Sequence, residues 1–87
     1  MLNMLVLDMP IGKRLQQCRK AKKLTQAEVV RAAHQLGSTI SENTYAKIEQ
    51  GIRNIQVSDF VILKMVLEFQ YDDIFQEIEA EIREQAK

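Results

Sequence analysis

Apolar positions recur at helical spacing in consecutive stretches of this chain, separated by short polar or glycine-marked breaks. Ile11, Leu15 and Cys18 fall three or four residues apart, and Lys13, Arg14, Lys20, Lys22 and Lys23 occupy the other faces. That pattern predicts a first helix from Ile11 to Lys22. Thr25, with Glu28 three residues on, forms a capping box ahead of a second helix. Val29, Val30, Ala33 and Leu36 give that helix its apolar side, and Gly37 is its natural stop. Ser41 caps a third helix that ends at Gly51. Residues 52–57 read as a loop and Ser58 as the cap of a fourth helix, with Phe60, Leu63, Val66 and Leu67 facing inward. Asp72 and Asp73 mark the start of a fifth, where carboxylates favour the positive end of the helix dipole. Ile74, Phe75, Ile78 and Ile82 form its apolar stripe, and its other faces are densely acidic.

No repeat or linker divides the pattern, and 87 residues supply one core, so the expectation is a single all-α domain. The absence of Trp and the presence of only three Gly and one Pro agree with helices over a turn-rich β architecture. Residues 1–10 are apolar but short, lack a basic leader and run into Asp8 and Pro10, which reads as neither a secretory signal nor a membrane span. They fit a short strand, an extra packing segment or a mobile arm, and their apolar character favours packing, a second subunit included, over free disorder. The single cysteine, Cys18, excludes an internal disulfide framework and suits a reducing, cytoplasmic setting.

Charge changes the picture only when it is split along the chain. The net charge is zero, yet residues 1–53 hold nine Lys and Arg against four acids, and residues 54–87 hold three against eight. A domain polarised in this way can present a basic face to phosphate while its acidic end points elsewhere. The second and third helices, joined by a turn and followed by Gly51, suit a unit that puts side chains into the DNA major groove.

Taken in order, these residues resemble the Cro/C1-type helix-turn-helix domains, the XRE family of bacterial and phage repressors. The resemblance covers roughly Ile11 to Phe75. It rests on Ile11-Gly12 and Arg14-Leu15, on Arg19 five residues before Leu24, and on Leu24-Thr25-Gln26. It continues with Ser41 through Gly51, including Ile48-Glu49-x-Gly51, with Arg53-Asn54, with Phe60, Leu63 and Leu67, and with Asp72-Asp73-Ile74-Phe75. It implies a five-helix lambda-repressor-like domain over residues 11–75, here with an extended acidic C-terminal helix over residues 72–87. It also implies a third helix in the major groove, Gln26 on a phosphate, and a structural ion pair between Arg19 and Glu49. The chain departs from the family pattern in four places. The connection from His34 to Ile40 is lengthened, Lys23 stands where glycine is usual, Tyr45 replaces an aliphatic residue, and Ile55 stands near the usual proline.

Sequence reading falls to the exposed positions of the third helix, Glu42, Asn43, Thr44, Ala46 and Lys47. Asn43 can bond an adenine edge, Lys47 can reach guanine acceptors or a phosphate, and Thr44 suits a phosphate oxygen or a thymine methyl. Glu42 either accepts from cytosine or excludes other bases. The alternative for the whole set is a solvated face that touches no DNA. Gln26, Lys22, Lys23, Arg53 and Asn54 are the candidates for the DNA backbone, together with amides at the helix starts.

Leu67, Tyr71, Ile74, Phe75, Ile78 and Ile82 exceed what four helices need for closure. They form either a symmetric dimer interface, placing two reading helices about one DNA turn (roughly 34 Å) apart, or a cap on their own core. One His and one Cys assemble no metal set, and neither a phosphate loop nor a nucleophile motif is present, so no cofactor and no enzyme activity are expected. The expectation is therefore a repressor that binds duplex DNA as a homodimer. A protein-interaction module, antitoxin-like, using the fifth helix and residues 1–10 to hold a second protein, is the alternative.

Overall fold

The computed structural model describes residues 4–5 and 11–86. Its elements are β1 (Met4–Leu5), α1 (Ile11–Ala21), α2 (Gln26–Gln35), α3 (Glu42–Glu49), β2 (Ile55–Gln56), α4 (Val57–Leu67) and α5 (Tyr71–Gln85). This is an all-α fold with one two-stranded antiparallel ribbon, in which Met4 faces Gln56 and Leu5 faces Ile55. The strand reading of residues 1–10 therefore applies to Met4–Leu5; the rest of that segment lies outside the described residues.

Local chemistry sets the helix ends. Thr25 accepts from the Glu28 amide (3.1 Å) while the Glu28 carboxylate accepts from the Thr25 amide (2.8 Å), completing the expected box. Ser41 caps α3 by accepting from the Thr44 amide at 3.0 Å. The first three helices close in the same way, with paired amides returning to the last carbonyls: Lys23 to Lys20 and Leu24 to Arg19, Gly37 to His34 and Ser38 to Ala33, Gly51 to Ile48 and Ile52 to Lys47. This closure needs a left-handed residue, which is Gly37 (φ +99°) after α2 and Gly51 (φ +78°) after α3. After α1 it is Lys23, at φ +59°. A Cβ is unfavourable there by about 1 kcal/mol, so Lys23→Gly is expected to raise stability by up to that amount. A melting temperature no higher than that of the parent would overturn this.

Three expected boundaries move, the first by one residue, since α1 ends at Ala21 and not at Lys22. Ser58 does not cap the fourth helix: Gln56 holds the cap position without a side-chain bond, and Ser58 lies inside the first turn. The cause is the ribbon, which holds Ile55–Gln56 extended until the helix starts, so the anticipated loop over residues 52–57 contains a strand and the first residue of α4. The fifth helix starts one residue early, at Tyr71, with Asp72 and Asp73 in its first turn.

The core is built from all five helices and β2. Leu15, Val29, Ala33, Tyr45, Ile48, Ile55, Leu63 and Ile74 are almost fully enclosed. α2 packs on α4 and on α3, and α1 packs on α3. Cys18 is half-buried against this core, and burial pushes its thiol pKa up. An aromatic cluster fills the α4–α5 corner: the Phe60 ring lies 5.9 Å from Phe69 and 6.0 Å from both Tyr71 and Phe75. Arg14 ties α1 to Glu77 of α5 at 2.9 Å.

The lengthened α2–α3 connection is pinned at its centre. Ser38 is buried, donates to Asp59 of α4 at 2.8 Å and accepts from the Ile40 amide at 3.1 Å. Ile40 is driven into the core just before α3, and its carbonyl is bonded by the exposed His34 ring. The longer turn thus delivers α3 to a defined place through one hydroxyl.

Candidate nucleic-acid interface

α3 has two chemically different sides. Tyr45, Ile48 and Glu49 are buried, while Glu42 and Asn43 are exposed and Thr44, Ala46 and Lys47 half-exposed. At 100° per residue Glu42, Ala46, Asn43 and Lys47 form one continuous outward face. Gln50, exposed at the C-cap, falls in the middle of that face, one turn beyond Ala46. Its i+4 spacing from Ala46 was the signal for it; the expected reading positions were confined to residues 42–47. The Thr44 hydroxyl accepts from Ser41 at 2.9 Å, so it is already oriented by the cap.

The inner side of α3 is held by ionic chemistry. Arg19 of α1 makes a two-pronged contact with Glu49, Nε to Oε2 at 2.8 Å and Nη2 to Oε1 at 3.1 Å, and its Nη1 donates to the Leu24 carbonyl at 2.9 Å. The two side chains are 11% and 1% exposed, so the pair lies inside the domain, joining α1 to the end of α3. Gln26 adds a third donor to Glu49 at 3.0 Å. Burial by itself pushes the Glu49 pKa up, but the hydrogen bonds from its donors outweigh it and hold the carboxyl below the ordinary 4.5. The Tyr45 hydroxyl is buried beside this pair with no hydrogen bond of good geometry, and burial drives its pKa far above the ordinary value.

The expected backbone residues fall into three situations. Gln26, at the start of α2, is tethered to Glu49 through one amide proton, which fixes its side chain between α2 and α3. Lys22 is ion-paired with Glu68 at the C-terminus of α4, whereas Lys23 is exposed. Arg53 and Asn54 follow α3 and are exposed. With Thr39, Ser41 and Thr44 they line an open cleft of about 230 Å³ beside the start of α3. Thr39, which lies on the lengthened turn, was not foreseen.

The expected dimer stripe divides. Leu67 and Ile74 are 3% and 1% exposed, consumed by the chain's own core, and Tyr71 and Ile78 are half-buried. Phe75 and Ile82, at 39% and 56%, remain available on α5. A second exposed apolar row, Val57, Val61 and Met65 at i, i+4, i+8, runs along α4 and was not anticipated. Its trace in the sequence is that α4 is apolar on every side, whereas a helix half covered by its own domain keeps one polar side.

Two capped helices, a turn anchored to the core, and a second helix that buries one side and offers polar groups on the other define a helix-turn-helix unit. The chain belongs to a helix-turn-helix domain family, whose model matches residues 10–72. No match was found among curated proteins or among solved structures. No helix among the described residues is long and apolar enough to cross a membrane.

Proposed function

We propose that this protein is a sequence-specific, DNA-binding transcriptional regulator without enzymatic activity. It acts in the cytoplasm as a repressor of the Cro/C1 type and occupies an inverted-repeat operator as a homodimer. The observation that carries the reading is the outward face of α3, where Glu42, Asn43, Ala46, Lys47 and Gln50 stand clear of the core beside a helix start. Asn43 and Lys47 have the groups needed for purine edges, and Thr44 is set for the backbone. Gln26, Lys22, Lys23, Arg53 and Asn54 supply the phosphate contacts. In the homodimer the second copy covers Phe75 and Ile82 and the outer part of Ile78.

The test is selection of bound fragments from mixed genomic DNA, followed by affinity measurements across a salt series. Expected are inverted half-sites and affinity that falls by about 0.9 log units per log unit of salt for each phosphate neutralised. Salt-insensitive or absent binding removes the reading. Within the selected site, Lys47→Ala should cost about 1–3 kcal/mol at one base position and relax preference there. Arg53→Ala should instead weaken all sequences alike and lower the salt slope by about 1. Equal, sequence-independent losses from both variants would cancel the assignment of reading and positioning roles.

The exposed Phe75 and Ile82 also favour a second reading, an antitoxin-like module that holds another protein through α5. Under that reading Ile82→Asp leaves the chain's own oligomeric state unchanged and abolishes the partner contact. Under the dimer reading it yields monomers.

A further inference from the structure

Among the described residues, non-glycine positions with positive φ are Lys23 and Glu68, both at +59°. Lys23 follows α1, and Glu68 caps α4, donating its amide to the Lys64 carbonyl at 2.8 Å. These two helix ends meet. Lys22, the neighbour of the first strained residue, is ion-paired with the side chain of the second, across 46 positions of sequence. Glycine would relieve the backbone at either site, but at position 68 it would also remove the carboxylate that holds Lys22.

Folding stability is a weak reason for that contact. The Glu68 side chain is 70% exposed and that of Lys22 35%, and exposed pairs contribute little. Position supplies a stronger one. Lys22 lies four residues before Gln26, at the entrance to α2, whose first side chain is bonded to α3. A phosphate approaching the start of α2 therefore meets an ammonium already occupied by a carboxylate.

We propose that Glu68 is a built-in competitor for DNA phosphate at Lys22, setting the affinity and salt dependence of the interface. The inference rests on the DNA-binding reading above. While the pair is closed, the two charges cancel and Lys22 contributes no net attraction to the backbone. Lys22 reaches a phosphate only on leaving Glu68, so while the pair holds, that phosphate contact is forgone. Glu68 thus lowers affinity for operator and bulk DNA alike and leaves discrimination between them to the face of α3.

The experiment is fluorescence anisotropy with mixed-sequence duplex DNA across a potassium chloride series. The proteins are the parent, Glu68→Gln, Lys22→Ala, the double variant, and Glu84→Gln as a control for loss of an exposed acid near the end of α5. Glutamine keeps the size and backbone demands of Glu68, and circular dichroism checks the fold. Glu68→Gln is expected to bind about five- to tenfold tighter near 0.1 M salt, with a slope steeper by about 0.9. In the Lys22→Ala background the gain should shrink to that of Glu84→Gln. The proposal is overturned if Glu68→Gln gains no more than Glu84→Gln, or if its gain survives Lys22→Ala. Parent protein that fails to bind at any salt, and is not rescued by Glu68→Gln, overturns the DNA reading itself. Rescue by Glu68→Gln alone supports both.

Discussion

Gly12→Ala is expected to destabilise the domain by about 3 kcal/mol or more, an overpacking cost at the upper end of the usual range. A Cβ at Gly12 would lie 2.0 Å from the Ile48 carbonyl oxygen, 3.1 Å from its carbonyl carbon and 3.0 Å from the Glu49 oxygen. These are backbone atoms at the end of α3, so no rotamer change relieves the clash. α1 and α3 must move apart instead, which loosens Leu15 and Ile48 in the core and lengthens the Arg19–Glu49 contact. A domain of this size has about 4–13 kcal/mol in total, so the melting temperature should fall by about 12 °C or more. Gly37→Ala is the comparison. That site has open space around it and only a positive φ to offend, so its cost should stay near 1 kcal/mol. If Gly12→Ala melts no lower than Gly37→Ala, the close approach of α1 and α3 described above is wrong.

The second large effect is expected from Arg19→Ala, at about 3–5 kcal/mol, the usual result of stranding one member of a buried pair. Glu49 would keep its burial and lose its two-pronged partner, with Gln26 as its remaining protein donor of good geometry. The same change should reverse the response to acid. In the parent the folded pKa of Glu49 lies below the unfolded value, so the pair's contribution is complete above about 4.5. It is lost as pH falls from there through the depressed folded value. In Arg19→Ala burial dominates and lifts the folded pKa, so protonation helps the variant and the deficit narrows on acidification. Urea melts at neutral pH and below the ordinary glutamate pKa measure both curves. A deficit that stays constant with pH would mean that Glu49 is not the group Arg19 serves.

Both effects lie at the seam between α1 and α3, and that seam positions the candidate site. Arg19, Glu49 and Gln26 link α1, α3 and the start of α2. The outward face of α3 is thereby tied to the start of α2, so under the proposed function damage at the seam should degrade recognition as well as stability.

Much of the fold was legible because its signals are local. Thr25 with Glu28, Ser41 before Glu42, and the glycines at 37 and 51 act within a few residues of themselves, and each cap forms as read. Ser58 misled because cap preference is a tie-breaker: a strand pairing with Met4–Leu5 held Gln56 extended and started the helix a residue before Ser58 could act. The outward residues of α3 followed from helical period alone. Gln50 was missed because the expected reading positions stopped at Lys47, although the period continues through the cap.

The sequence by itself determined the five helices, the caps at Thr25 and Ser41, the stops at Gly37 and Gly51, the polarised charge and the outward face of α3, since each depends on spacing and on the chemistry of near neighbours. Only the tertiary structure decided which long-range partners those elements take. It set Lys22 against Glu68, tethered Gln26 to Glu49, anchored the lengthened turn through Ser38 to Asp59, and drew Leu67 and Ile74 into the core while leaving Phe75 and Ile82 outside. A helix pattern states which side is apolar but not how much of that side its neighbours will cover. An exposed lysine looks the same in sequence whether solvent, a phosphate or a glutamate 46 residues away holds its charge.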